Sequence, residues 1–262
     1  MSTDKMLAEK RGAIGIMTFN NPERHNAVSL EMWEAADRIL SDFIADPAIR
    51  VVVITGAGGR SFVSGADISK FDSERASLEG VRKYNAAVER MYGGIYELPK
   101  PTIAMIRGYC MGGGLGLAIS CDIRVCNETS KFALPAAKLG LGYGFTPMKR
   151  FVDVLGPAVT KEIFFTARQY DAATALRWNM VNHVVPDAEI EAFVMSMAET
   201  IAGNAPLTVG SIKAIAQQIV KDPTQRDLGM CDAMVEKCFA SQDYIEGRRA
   251  FMEKRKPVFT GS

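Results

Sequence analysis

The chain has 262 residues, 48% of them hydrophobic, which suits one large core with a smaller appendage. A net charge of +1 argues against a nucleic-acid partner, and no run reaches the roughly 18 apolar residues of a membrane span, so no membrane attachment is expected. Five cysteines, an odd number at irregular spacing, point to a reducing, cytoplasmic setting; Cys121 and Cys126 have no matching second pair, so no metal site is expected.

The first ten residues lack the apolar stretch of a signal peptide. Residues 13–19 read as a strand and 20–25 as a polar loop. Ser29 has the form of an N-cap for a helix to about residue 45, with Met32, Trp33, Ala36, Ile39, Leu40, Phe43 and Ile44 on one apolar face. Residues 50–55 form a continuous apolar run, as expected of a strand covered on both faces. The pattern predicts a helix from about residue 74 to 98, broken near Gly93 and Gly94 and ended by Pro99 and Pro101. Residues 102–106 read as a second buried strand, and 122–126 and 131–134 as short strands. Thr146 and Pro147 have the form of an N-cap followed by proline at the first helical position. From about residue 189 onward the pattern is helical, in segments 190–202, 206–220, 228–240 and 242–254.

Two short segments about fifty residues apart stand out. One is Ser-Phe-Val-Ser-Gly-Ala-Asp at 61–67; the other is Gly-Tyr-Cys-Met-Gly-Gly-Gly-Leu-Gly at 108–116. Each is a small-residue turn after a predicted buried strand. The glycines at 112–117 fit no dinucleotide fingerprint in any register, and residues 56–61, which lead into the first segment, lack the lysine and the leading glycine of a phosphate-binding loop. Each segment could aim a backbone N–H at one shared point, and two such donors stabilise charge developing on a carbonyl oxygen. A helix starting at Gly113 would add its dipole in the favourable sense. The plainer reading is that these glycines only permit tight strand-to-helix packing.

Together with Asn26-Ala27, residues 132–140 and residues 244–256, these segments make the chain resemble the crotonase (enoyl-CoA hydratase/isomerase) superfamily along nearly its whole length. The resemblance implies an α/β fold, a spiral of ββα units over residues 1–200, with a helical trimerisation region at 201–262. It implies an acyl-CoA substrate, with coenzyme A as part of that substrate and no covalently bound cofactor, and a homotrimer or homohexamer. It places the oxyanion donors at the N–H groups of Ser64 and Gly113. It assigns substrate or CoA contact to Arg24, His25, Ala27, Gly65, Ala66, Asp67, Ile68, Gly112, Phe251 and Lys254.

Hydratases of the superfamily use two glutamates. The corresponding positions here are Gly116 and Ala136, and a third acid position used by other members falls at Gly144. General acid–base groups are worth about 10²–10⁴-fold each, so a fast hydratase is disfavoured. Decarboxylation of a malonyl-type thioester needs no base, and residues 139–150 are similar in layout to methylmalonyl-CoA decarboxylases, with Tyr143 where those carry tyrosine. Tyr143 is either a group that orients a substrate carboxylate or a pocket wall. Glu89 and Lys83, on the predicted cover helix, are candidate substitutes for the absent acids. A slow hydratase and a catalytically idle CoA-ester-binding homologue remain the alternatives. His25 and His183 belong to no Ser-His-Asp set, and Cys110 reads as a buried small hydrophobe.

Overall fold

A computed structural model describes residues 3–70 and 76–262. The start of the predicted cover helix, at 74–75, lies outside the described residues. Strand β1 (Met6–Arg11) pairs antiparallel with β2 (Ile14–Phe19). Helix α1 (Leu30–Ala45) follows, and Ser29 caps it by accepting from the Met32 N–H at 3.4 Å. Three strand pairs come next: β3 (Val51–Gly56) with β4 (Ser61–Val63), β5 (Thr102–Ile106) with β6 (Tyr109–Met111), and β7 (Ile123–Asn127) with β8 (Lys131–Ala133).

The first strand of each pair joins a six-stranded sheet, in the order β1-β2-β3-β5-β7 and then β10 (His183–Val185). The second joins a four-stranded sheet, in the order β4-β6-β8 and then β9 (Tyr170–Asp171). Helix α2 (Leu78–Glu97) follows the first pair and α3 (Gly113–Ser120) the second. This repeated passage between sheets, followed by a helix, is the expected spiral.

Both faces of β3 are buried, as its unbroken apolar run requires. Val52 and Ile54 enter the main core with Phe19, Trp33, Phe62 and Phe132. Val51 and Val53 face a second core with Ile103, Val125 and the Ile190, Val194 and Ala198 side chains of α6 (Ile190–Ala202). Between α3 and α6 lie α4 (Phe145–Thr166) and α5 (Ala172–Arg177). The chain ends in α7 (Pro206–Ile219), α8 (Leu228–Phe239) and α9 (Gln242–Glu253).

Two local expectations are corrected. Helix α2 runs unbroken through Gly93 and Gly94. Those residues serve close approach instead: a Cβ at Gly94 would stand 3.1 Å from the Leu40 side chain of α1. Helix α4 begins one residue before Thr146, with Gly144 as its N-cap, so Pro147 sits inside the first turn. Proline is tolerated there because the first-turn N–H groups have no intrahelical acceptor.

Candidate active site

Polar side chains build the turn after β4. Asn26 is fully buried, and its Oδ1 accepts from the Asn21 N–H at 2.9 Å. Its Nδ2 donates to the carbonyls of Ala57 and Ser61, at 2.9 and 2.8 Å. His25 and Asn26 both hold positive φ, 55° and 56°. The His25 carbonyl accepts the Ser64 N–H at 3.1 Å, and its ring Nδ1 lies 2.9 Å from Ser61 Oγ. Ala27 belongs to the same knot; it donates to the Arg24 carbonyl and accepts from Asn21 Nδ2.

Val28 then pairs with this turn. Its N–H donates to the Gly65 carbonyl at 2.8 Å, and its carbonyl accepts from the Asp67 N–H at 3.0 Å. These partners flank Ala66. In a parallel bridge the residue between them turns its own N–H to the other side. The Asp67 carboxylate is occupied locally, accepting from the Ser69 N–H at 3.0 Å and Ser69 Oγ at 2.7 Å. The exposed Arg24 side chain donates to Ser69 Oγ at 2.7 Å.

The second turn depends on backbone packing. Gly112 sits at φ 52°, ψ −117°, a conformation costly for any residue with a Cβ, and its N–H donates to the Ala133 carbonyl at 2.8 Å. The N–H groups of Leu115 and Gly116 donate to the Gly112 carbonyl. Gly113 opens α3, so its N–H has no intrahelical acceptor. The two turns touch, since a Cβ at Gly65, itself at φ 103°, would lie 3.3 Å from the Gly113 nitrogen. Among the described residues, no acceptor meets the N–H of Ala66 or of Gly113.

This corrects the expectation for Ser64. Its amide is already bonded to the His25 carbonyl, because the left-handed conformation of His25 turns that carbonyl inward. Among the described residues the amides of Gly65 and Ala66 are left without an acceptor, and the bridge to Val28 turns that of Ala66 to the far side.

The three acid positions are occupied in different ways. A Cβ at Gly116 would lie 2.9 Å from the ring of Tyr92 and 3.1 Å from its hydroxyl oxygen. Gly116 is therefore an acid position filled by an aromatic ring rather than an empty one. Ala136 is buried in a 3-10 turn, Pro135–Leu139, and Gly144 caps α4. Tyr92 is buried, and its hydroxyl donates to the Gly113 carbonyl. Burial pushes its phenol well above the ordinary tyrosine range, so it stays a donor.

Of the suggested substitutes, Glu89 is held by Arg150, whose Nη2 and Nη1 lie 2.6 and 3.2 Å from its two oxygens. Lys83 points to solvent. Half-buried Tyr143 meets the Phe164 ring edge-on at 4.9 Å and lies close enough to Tyr92 to influence its ionisation. Burial raises the Cys110 thiol well above its usual value, which removes it as a nucleophile. His183, in β10, packs on Phe193 of α6, far along the chain from either turn.

Ile68 is exposed just beyond the first turn. Phe251 and Lys254 stand at the end of α9, which packs on α8 and the terminal tail. Among the described residues no hydrogen bond or ion pair joins either one to the turns. Sequence reasoning missed Tyr84 and Tyr92. Their spacing with Ala87, Met91 and Ile95 marks only a buried helix face, and hydroxyl roles leave no signal in that pattern.

The enoyl-CoA hydratase/isomerase family model matches residues 9–262. A short-chain-enoyl-CoA hydratase of Clostridium acetobutylicum is 32% identical over 256 residues, covering 98% of this chain and 97% of its own. A carnitinyl-CoA dehydratase of Escherichia coli O157:H7 is 34% identical over 266 residues, covering 99% of each. The crystal structure of an enoyl-CoA hydratase/carnithine racemase from Magnetospirillum magneticum superposes with a TM-score of 0.93 at 37% identity, covering 100% of this chain and 97% of that one. The chain belongs to the enoyl-CoA hydratase/isomerase family. It is a crotonase-superfamily acyl-CoA enzyme.

Proposed function

We propose that the protein stabilises a thioester enolate between the N–H groups of Ala66 and Gly113, and that its reaction forms this enolate without a carboxylate base. Decarboxylation of a malonyl-type acyl-CoA has that property. The bond between the α-carbon and the carboxylate breaks, CO₂ leaves, and the electron pair passes into the enolate; the α-carbon then takes a proton from water. One observation carries the reading: two acceptor-free amides meet across Gly65 and Gly113, while the neighbouring acid position is closed by Tyr92. Two such donors contribute about 3 kcal/mol each to the transition state.

In this reading Tyr143 orients the substrate carboxylate. Arg24 and Ile68 border the CoA entrance, and Arg24 is a phosphate partner. Phe251 and Lys254 reach CoA only from a neighbouring subunit, which favours a trimer or a hexamer. The exposed apolar side chains of the last helices, among them Phe239, Phe251 and Met252, support assembly through that region.

The hydratase reading is favoured by the activities named for the relatives of similar length. A panel of malonyl-CoA, methylmalonyl-CoA, crotonyl-CoA and an aryl thioester separates the readings. The expected result is CO₂ release from a malonyl-type ester, with crotonyl-CoA hydrated at least about 10²-fold more slowly. Faster crotonyl-CoA hydration would establish the hydratase. Tight binding without any turnover would establish an idle homologue, and no binding of any thioester would end the acyl-CoA reading.

A further inference from the structure

Helix α2 touches both halves of the amide pair, through two tyrosines eight residues apart. Tyr84 donates to the Val28 carbonyl at 3.1 Å. That carbonyl also accepts from Asp67, and the Val28 N–H holds Gly65, so Tyr84 fixes the residue that grips both sides of Ala66. Tyr92 donates to the Gly113 carbonyl and so fixes the first turn of α3, from which the second amide projects. Trp33 locks the two tyrosines together. Its Nε1 donates to Tyr84 Oη at 2.9 Å, and its ring meets Tyr92 edge-on at 5.7 Å. Phe19 backs Trp33 at 5.8 Å.

Eight residues of helix span about 12 Å and resist stretching, so two contacts on one helix define a fixed separation. Donors that need no rearrangement as charge develops are worth far more than mobile ones. Phenylalanine would fill the same volume at either position, yet both hydroxyls are buried and each meets a backbone carbonyl beside the amide pair.

We propose that Tyr84 and Tyr92 are positioning residues, and that α2 acts as a brace setting the separation of the Ala66 and Gly113 amides. The proposal rests on reading those amides as one oxyanion hole. The test is the infrared carbonyl stretch of bound acetyl-CoA carrying ¹³C at the thioester carbonyl. Wild-type protein should lower the frequency. Tyr92→Phe and Tyr84→Phe should each lose roughly half of that shift while acetyl-CoA affinity changes less than about threefold. Tyr96→Phe, on the same helix but away from the turns, should keep the full shift. Tyr84→Phe also strips an acceptor from Trp33; if it does not fold, Tyr92→Phe alone decides. An unchanged shift in a folded Tyr92→Phe protein overturns the brace and leaves the amide pair standing. A wild-type protein that binds the probe without shifting its carbonyl removes the amide pair itself, and the brace with it.

Discussion

The two turns that meet at Gly65 and Gly113 are held by opposite means. The first is a knot of polar side chains, in which Asn26, Asp67, His25 and Ser61 supply hydrogen bonds that specify each peptide orientation. The second has almost no side chains. It is shaped by closeness: a Cβ at Gly114 would stand 2.0 Å from the Val63 carbonyl oxygen, and one at Gly116 would crowd the Tyr92 ring at 2.9 Å. One turn is therefore sensitive to which polar atoms are present, and the other to any atom being added. Among the described residues each leaves backbone N–H groups without an acceptor, that of Ala66 in the first and that of Gly113 in the second among them, and this is the property they share.

The severest way to break that pairing acts on the backbone. Replacing Ala66 by lactic acid converts its amide to an ester and deletes one proposed donor. Turnover on the best thioester of the panel should fall by about 10²–10³, with little change in KM. The matching ester at Ser64 removes only the bond to the His25 carbonyl, so its loss should be far smaller. Single-turnover rates of the two esters compare them directly. A larger loss at Ser64 would return the donor to that residue.

This difference between Ser64 and Ala66 also marks how far the sequence could be read. The two segments, their pairing and the helix beginning at Gly113 follow from small residues placed after apolar runs. That the Ser64 amide is taken while that of Ala66 stays free does not. It depends on where the His25 carbonyl points, and that is set by two consecutive residues at positive φ, a conformation with no pattern in composition. Gly116 carries the same lesson. The sequence marks it as a missing acid, whereas the space is filled from α2, by a residue 24 positions earlier that shows only core periodicity. Long-range complementarity between a glycine and an aromatic ring is invisible to spacing arguments.

The polar turn has its own test. Asn26→Leu keeps the branched shape in a slightly larger side chain and leaves the Asn21 N–H and the Ala57 and Ser61 carbonyls without their partner in a buried site. It also places a branched side chain at φ 56°. The expected cost is about 3 kcal/mol or more, read from the urea midpoint. Asn26→Gly separates the causes. It relieves the backbone but still lacks the hydrogen bonds, so it should recover only part of the loss. Recovery to wild-type stability would mean that backbone conformation alone, and not the polar knot, holds the first turn.

The apolar turn calls for the smallest change, one methyl group. Gly116→Ala places a carbon 2.9 Å from the Tyr92 ring within a buried helix, an overpacking expected to cost about 1–3 kcal/mol. If the ring is the cause, Tyr92→Leu should make room. In that background the same methyl should cost at least about 1 kcal/mol less, a coupling energy available from four unfolding curves. The coupling matters chemically as well as structurally. Strong coupling means that a side chain at 116 and the ring at 92 compete for one volume, so this pocket excludes a carboxylate by shape and could not regain one by a single substitution. Simple additivity would instead mean that the ring yields easily, and that the absence of an acid at 116 is not enforced by the fold.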